Sequence, residues 1–315
     1  MDYKDITVTN YTWQAIINPN ALSKGSTKHW KIISEMLAKE NISFEEHNAE
    51  TVNAGKEITE KLCRDGHRHF IILGGDGTAN EVINGIFCAG IDTREVFVVP
   101  FPLGTGNDWL HTHQYPTNYL DIVSYFKKGK FRLHDVGLVH SIENKEIIAS
   151  RYFINIAGFC FDAAVIQETI KGKTLILKSY TYLYQLVKVL LTYKANKVII
   201  KAPNIKVEEK IFTIAVGICQ YNGNGMKQVP MANPFDGILD VVIIKKISPL
   251  KVAMNVKNLF SGNHIHLKEV TIYQSKELEL ESTPYCPGEV EGEMVVPGNY
   301  KISILPQAVN ILSIV

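Results

Sequence analysis

A run of large apolar residues, Phe70–Leu73, ends directly in two glycines, Gly74 and Gly75. Successive side chains of a strand point to opposite faces, so a run without polar residues indicates a strand that is covered on both faces, as in a parallel sheet. Strand patterns at 15–17, 42–46 and 96–99, with helical spacing between them, extend this run into a βαβαβαβ series. Residues 12–131 are therefore predicted to form an α/β domain with a parallel sheet.

The pattern changes near Phe131, where short strands separated by Gly, Pro or Asn begin to dominate. We expect residues 132–315 to form a β-rich, sandwich-like domain. Three helical stretches, at about 161–171, 174–193 and 249–260, interrupt it. The predicted strands lie at 133–139, 152–156, 197–201, 212–219, 239–244, 270–273, 278–281, 293–296 and 300–305.

Charge and cysteine usage restrict the class of protein. The 33 Lys and Arg residues nearly balance the 32 Asp and Glu residues, so the totals do not favour a nucleic-acid partner. Five scattered cysteines without C-x-x-C spacing indicate free thiols in a reducing compartment, and the polar first residues lack a signal core. The most apolar stretch, 175–193, contains Lys178 and Lys188 and is too short to span a bilayer, so we expect a cytoplasmic protein whose membrane contact is peripheral.

The segment after the apolar run reads Gly-Gly-Asp-Gly-Thr-Ala-Asn-Glu, residues 74–81. Its glycines allow a sharp turn and a close approach of the backbone to a ligand, and the N-terminus of the following helix offers free N–H groups to phosphate. Asp76 could bind Mg²⁺ or its water shell beside a polyphosphate. The alternative is a tight strand-to-helix turn with Thr78 as N-cap.

A second loop, residues 102–109, reads Pro-Leu-Gly-Thr-Gly-Asn-Asp-Trp and follows the fourth strand. Gly104, Thr105 and Gly106 make it flexible and phosphate-sized, whereas Asn107 and Asp108 could simply cap the next helix. Because both loops follow strands of one parallel sheet, we expect them to face the same crevice. Neither is a Walker A sequence, since no Gly-Lys-Ser/Thr follows.

Together these two motifs resemble the catalytic domain of the diacylglycerol kinase, sphingosine kinase and bacterial lipid kinase superfamily. NAD kinases and phosphofructokinases share the first motif, so the resemblance implies a first domain of that fold, with ATP as substrate and Mg²⁺ as cofactor. It also implies that Asp76 organises the catalytic Mg²⁺. The implied nucleotide-binding residues are Asn18, Gly74, Gly75, Gly77, Thr78, Asn80, Gly104, Thr105, Gly106 and Asn107.

The second half resembles the same family. Residues 155–162 are similar to a family segment that usually has glycine at the position of Cys160. Asp236-Gly237-Ile238-Leu239-Asp240 resembles the D-G-x-L-D segment that holds a structural Mg²⁺ in bacterial members, and the implied ligands are Asp236, the Ile238 carbonyl and Asn233. Without the resemblance, an Asp-Gly turn before a strand would explain this segment.

Glu291-Gly292-Glu293 resembles the family's D-G-E, in which aspartate is usual at the first position. The resemblance implies that Glu293 is the general base that accepts the proton of the lipid hydroxyl during in-line transfer. The alternative is an ordinary surface turn.

The sequence thus indicates an ATP-dependent kinase that phosphorylates a lipid hydroxyl at a membrane surface, with its active site between the two domains. The resemblance implies that the C-terminal tail returns to the first domain and makes a homodimer a candidate assembly. The alternatives are a kinase for a soluble substrate, similar to NAD kinase, and a non-catalytic lipid- or nucleotide-binding protein of the same fold. The sequence names neither the lipid nor ATP over GTP. A helical stripe at 180–190 is either core packing or a border of the lipid site.

Overall fold

A computed structural model describes residues 3–21, 25–104, 106–171, 188–203 and 205–314. The chain divides into two compact units. The first unit comprises Met1–Val136, Pro234–Asp236 and Leu305–Val315, and the second comprises Gly137–Asn233 and Gly237–Ile304. Among the described residues, no helix is long and apolar enough to cross a membrane.

The first unit alternates strands and helices along the chain. It contains β1 (Tyr3–Asp5), β2 (Thr12–Ile17), α1 (Ser26–Lys39), β3 (Ser43–Asn48), α2 (Ala54–Arg64), β4 (His69–Gly74), α3 (Asp76–Cys88), β5 (Phe97–Pro102), α4 (Asp108–Thr112), α5 (Tyr119–Lys128), the start of β6 (Lys130–Glu143) and the end of β16 (Asn299–Leu312).

The strands β3-β2-β4-β5-β16 of this unit pair in parallel in that order, and β1 pairs antiparallel with the start of β6. The apolar run of β4 is fully buried from Phe70 to Leu73, as expected for a strand with helices on both faces. By contrast, β3 pairs only with β2 among the described strands and is mostly exposed, which accounts for its polar sequence. The predicted α/β class with a parallel sheet is confirmed.

Two helices of the first unit, α2 and α3, pack closely against each other. A Cβ atom on Gly85 of α3 would lie 2.5 Å from the Lys56 carbonyl oxygen and 2.7 Å from Thr59 Cβ, so only glycine fits at this crossing. The Glu81 carboxylate, one residue beyond Asn80, accepts hydrogen bonds from the backbone N–H groups of Asn53 and Gly55, both at 2.9 Å. These contacts fix α3, and therefore the loop that starts it, against α2.

We predict that Gly85→Ala destabilises the fold by about 1–3 kcal/mol, the range expected for overpacking, although alanine has the higher helix propensity. Gly77→Ala is the matched control, because it changes the same helix at a position where a Cβ would meet no atom within 4 Å. Urea unfolding should show a lower midpoint for Gly85→Ala and an unchanged or higher one for Gly77→Ala. Equal midpoints would contradict the packing argument.

The second unit is dominated by strands. It contains the end of β6, β7 (Glu146–Phe153), β8 (Ile156–Cys160), α6 (Phe161–Lys171), β9 (Asn196–Ala202), β10 (Ile205–Gly217), β11 (Leu239–Lys245), α7 (Pro249–Met254), α8 (Val256–Ser261), β12 (Val270–Ser275), β13 (Glu277–Ser282), β14 (Gly288–Val290), β15 (Glu293–Met294) and the start of β16.

These strands pair antiparallel in the order β15-β14-β8-β10-β9-β13-β16, with β11 between β10 and β12 and with β6 paired to β7. One apolar cluster centres on Ile156, Ala215 and Val242, and another joins Phe161 and Phe212 to Val189. The predicted β-rich class of the second domain is confirmed.

Two predicted elements are interrupted. The predicted strand 152–156 breaks between β7 and β8, because the N–H groups of Ile154 and Asn155 donate to the Glu291 side chain rather than to a neighbouring strand. The predicted helix 249–260 breaks at Asn255, whose side-chain amide donates to the Lys251 carbonyl. Most of the predicted helix 174–193 lies outside the described residues.

Candidate active-site loops and their family

The two glycine-rich loops lie side by side in the first unit. The register of β4 and β5 pairs Gly74 with Pro102, and the Leu103 N–H donates to the Gly74 carbonyl at 2.8 Å. A Cβ atom on Gly75 would lie 2.7 Å from the Gly104 Cα atom. The backbones of the two loops are therefore in direct contact, and a side chain on Gly75 would separate them.

Asp76 connects the loops electrostatically. Its Oδ2 accepts a hydrogen bond from the Asp108 N–H at 3.1 Å, and its Oδ1 accepts one from the Trp109 N–H at 3.2 Å. Burial raises the pKa of the Asp76 carboxyl above its ordinary value, although these two backbone donors favour the ionised form. Each carboxylate oxygen has two lone pairs, so the carboxylate can hold α4 in place and still accept a further donor or bind a cation.

Asn107 shapes the second loop. It has a left-handed backbone with φ of 53°, its Oδ1 accepts from the Gly104 N–H at 2.9 Å, and its Nδ2 donates to the Gly104 carbonyl at 3.0 Å. The side chain therefore closes the loop on Gly104, although Asn107 occupies the N-cap position of α4. Thr105 lies outside the described residues.

Asn18 brings a third loop to the same edge of the sheet. Its N–H donates to the Leu73 carbonyl at 3.0 Å, and its Nδ2 donates to Thr78 Oγ1 at 3.1 Å. Thr78 is not the N-cap of α3, because the helix begins at Asp76 and the cap position is Gly75. A Cβ atom on Gly74 would collide with the Thr78 side chain at 2.3 Å, which explains the glycine there.

The remaining nucleotide-binding candidates differ in exposure. Gly77 and Gly106 are exposed, as a loop that contacts a ligand through its backbone requires. Asn80 is buried, and its side-chain and backbone oxygens both accept hydrogen bonds from Asn84 Nδ2. These bonds join Asn80 to the next turn of α3, and its assignment to the nucleotide site stays a prediction. The backbone N–H groups at the start of this helix are further candidate donors to an anion.

The acidic turn of the second unit joins β14 to β15. Glu291 and Gly292 both adopt positive φ, at 51° and 86°. Glu291 Oε1 accepts hydrogen bonds from the N–H groups of Ile154 and Asn155, at 2.7 and 2.8 Å. This carboxylate holds the turn against the break between β7 and β8.

Glu293 has a different environment. Its Oε2 lies 2.7 Å from Nη2 of Arg151, and its side chain is 37% exposed. The ion pair orients the carboxylate, and its exposure leaves it accessible to a substrate. Glu293 is thus the more accessible acidic side chain of the turn, whereas Glu291 is held by backbone N–H groups.

A buried carboxyl that the sequence did not single out lies directly beneath this turn. Glu289 is 2% exposed, and its Oε2 accepts a hydrogen bond from the Gly292 N–H at 2.7 Å. A Cβ atom on Gly158 would lie 2.4 Å from Glu289 Oε1 and 3.2 Å from Asp162 Cβ, so this glycine makes room for both acids. Burial raises the pKa of Glu289 to about 8 and that of Asp162 to about 6. The one sequence signal that could have placed Glu289 at this site is its position two residues before Glu291.

We predict that Glu289→Gln gains stability relative to wild type as the pH rises. An acid whose pKa is about 8 when folded and 4.5 when unfolded keeps its proton longer in the folded state. The free energy of unfolding therefore falls between pH 4.5 and 8, by at most about 1.4 kcal/mol per pH unit. Glutamine keeps an acceptor for Gly292 but does not titrate, so its stability should lack this decline. The prediction would be refuted if the difference in the free energy of unfolding between the two proteins, measured with urea, were constant from pH 5 to 8.

The segment with the implied Mg²⁺ ligands precedes β11. Asn233 and Asp236 are exposed and Ile238 is half-buried. Within the first unit, the Pro234 carbonyl accepts from the Asp135 N–H at 2.9 Å, and the Arg132 guanidinium lies 3.5 Å from the Phe235 ring centroid. A carboxylate, an amide oxygen and a backbone carbonyl are the oxygen ligands that a hard cation prefers, so the donor set fits Mg²⁺.

Comparison with known proteins agrees with this architecture. The diacylglycerol kinase catalytic domain matches residues 12–139, and the YegS C-terminal NAD kinase beta sandwich-like domain matches residues 155–313, half of the chain. The chain belongs to the bacterial diacylglycerol kinase and lipid kinase family. Its predicted membership is confirmed.

Relatives match along nearly their full length. The chain is 25% identical over 312 residues to "Putative lipid kinase YtlR" of Bacillus subtilis, covering 95% of this chain and 98% of the relative. It is 26% identical over 290 residues to a diacylglycerol kinase of Staphylococcus carnosus, covering 90% of each.

Solved structures share the fold. A structure titled as a putative diacylglycerol kinase from Bacillus anthracis superposes with a TM-score of 0.76 at 18% identity, covering 96% of this chain and 97% of that one. Yeast NADH kinase superposes with a TM-score of 0.55 at 11% identity, covering 95% and 82%. The predicted likeness to the NAD kinase fold is confirmed.

Cys160, where the family usually has glycine, has a φ of 72°. This is the left-handed region that favours glycine. Cys160 therefore has a backbone conformation that glycine adopts more readily, and its thiol is buried.

Proposed function

We propose that this member of the family is an ATP-dependent lipid kinase that transfers the γ-phosphate to a primary hydroxyl of a diacylglycerol-like lipid. The observation that carries the proposal is the direct contact of two glycine-rich loops through Gly75 and Gly104, with Asp76 bonded to the second loop. Two exposed glycines and the N-terminus of α3 complete a surface whose donors are mostly backbone N–H groups, which suits a polyphosphate.

In this proposal the first unit binds the nucleotide. The backbone at Gly75, Gly77, Gly104 and Gly106 approaches the phosphates, and Asn18 orients Thr78 beside them. Asp76 keeps the loops together and offers its remaining lone pairs to Mg²⁺ or to a water of its shell. Bound Mg²⁺ would neutralise the charge that develops on the transferred group.

The second unit supplies the proton acceptor. Glu293 would accept the proton of the lipid hydroxyl as the hydroxyl oxygen attacks the γ-phosphorus, and the nucleoside diphosphate leaves on the opposite side. Arg151 orients this carboxylate, while Glu291 fixes the turn that carries it.

A second, structural Mg²⁺ would bind Asp236, the Ile238 carbonyl and Asn233. We further propose that the enzyme acts in the cytoplasm, meets its lipid by peripheral contact with a membrane and needs no nucleic acid. A homodimer is the proposed assembly.

The test is Mg²⁺-dependent transfer of labelled phosphate from ATP to a panel of lipids in mixed micelles. We expect label in a phospholipid product with wild type and a loss of at least about 100-fold with Glu293→Gln, since the base is removed without a change of shape. Glu291→Gln is the matched comparison. It keeps one acceptor oxygen for the two N–H groups and should retain more activity.

The same assay separates the alternatives. If Glu291→Gln abolishes transfer and Glu293→Gln does not, the proposed role of Glu293 as the base is wrong. Transfer to a soluble nucleotide or sugar without micelles would establish a soluble-substrate kinase. ATP binding without transfer to any acceptor would establish a non-catalytic binding protein.

We also predict that Asp76→Asn lowers kcat by at least about 100-fold. The amide group would present its N–H atoms to the backbone donor of Asp108 or Trp109 and would remove the negative charge near Mg²⁺. Initial rates at saturating ATP measure this effect, with urea unfolding as the control for folding. A variant with wild-type kcat would refute the proposed role of Asp76.

A further inference from the structure

Helices α7 and α8 of the second unit expose large apolar side chains. Leu250 is 70% exposed and Met254 68%, and they are four residues apart on α7. Val256 is 38% exposed and Phe260 51%, with the same spacing on α8. Residues four apart lie on one face of a helix, so each helix presents an apolar pair. Single exposed apolar residues are ordinary, but a cluster of four within residues 250–260 indicates an interaction surface.

Other residues of α7 are already engaged. Val252 packs against the apolar cluster of Phe161 and Phe212, and the Lys251 ammonium lies 2.7 Å from the Glu269 carboxylate. The exposure of Leu250 and Met254 is therefore not a consequence of a helix that lacks a core contact. The helix is anchored on one face and presents the other.

The charge around this surface has one sign. Residues 245–268 contain five lysines and no aspartate or glutamate. Lys245 and Lys251 are paired with Glu209 and Glu269, whereas Lys246, Lys257 and Lys268 are exposed. Lys257 lies one residue from Val256 and three from Phe260, so α8 carries one cationic group beside its apolar pair.

We propose that Leu250, Met254, Val256 and Phe260, with Lys246, Lys257 and Lys268, form a docking surface for an anionic phospholipid bilayer. We refer to these seven residues as the docking surface. Short anchored helices with apolar side chains and flanking lysines insert into the headgroup region of a bilayer, and the lysines attract its negative surface potential. The net charge of the whole chain, +1, gives no general attraction, so the local charge decides the orientation.

This inference rests on the proposed function, because a lipid substrate gives the surface its purpose. It can nevertheless fail separately, since vesicle binding is measured without ATP and without turnover. A protein that docks but transfers no phosphate would refute the kinase alone, and a kinase that is active in detergent but does not dock through these residues would refute the docking surface alone.

The experiment is co-sedimentation of the full chain with vesicles of phosphatidylcholine containing about 30% phosphatidylglycerol, an anionic lipid that gives the surface a negative potential. We expect Leu250→Ser with Met254→Ser to lower the partition coefficient at least tenfold. Val52→Ser with Leu120→Ser is the matched control, since these first-unit side chains are 78% and 61% exposed, and it should bind as wild type.

The electrostatic part is tested by Lys246→Gln, Lys257→Gln and Lys268→Gln. Each lost charge should weaken binding about fivefold at low salt, and binding to pure phosphatidylcholine should not change. Equal binding of the two serine pairs, or binding that ignores the phosphatidylglycerol content, would overturn the proposal. So would a lower molar mass of the Leu250→Ser, Met254→Ser protein than of wild type by light scattering, with vesicle binding intact, because the surface would then be an interface between copies of the chain.

Discussion

The register between β4 and β5 is the constraint on which the candidate nucleotide site depends. It pairs Gly74 with Pro102, so both strands end at the same level and the loops that follow them must leave the sheet side by side. At that separation there is no room for a side chain between Gly75 and Gly104. The sequence shows two glycine-rich motifs, and the structure shows that the two loops are in contact and form one surface.

Asp76 shows how one carboxylate can have two roles. Its hydrogen bonds to the N–H groups of Asp108 and Trp109 satisfy donors at the start of α4, as an N-cap side chain would, but from a distant part of the chain. The price is a partly desolvated carboxyl whose pKa is raised, and that environment is also the one in which a bound cation gains most from a negative charge. In the second unit, three neighbouring acidic side chains have different roles. Glu291 binds the backbone beside the turn, the buried Glu289 accepts a hydrogen bond from the turn residue Gly292, and Glu293 remains accessible.

Much of this could be read from the sequence because the determinants are local. Continuous apolar runs identified β2, β4 and β5, and the glycine motifs identified both loops. The break at Ile154–Asn155 could not be predicted, since it is caused by Glu291, more than a hundred residues away in the chain. The buried position of Glu289 was equally hidden, because a Gly-Glu-Val-Glu string gives no sign that one acid faces the core and the other the backbone. The sequence predicts one continuous helix at 249–260, whereas the structure breaks it at Asn255 and divides its exposed apolar residues into two pairs.

The most direct test of the central claim is calorimetric titration of the full chain with MgATP and with adenosine, for wild type and Gly75→Ala. The account predicts that wild type binds MgATP at least tenfold more tightly than adenosine, because the loops recognise phosphates. It also predicts that Gly75→Ala loses this preference while remaining folded, since the added methyl separates the loops. If Gly75→Ala binds MgATP as tightly as wild type, or if adenosine binds as well as MgATP, the paired loops are not the nucleotide site.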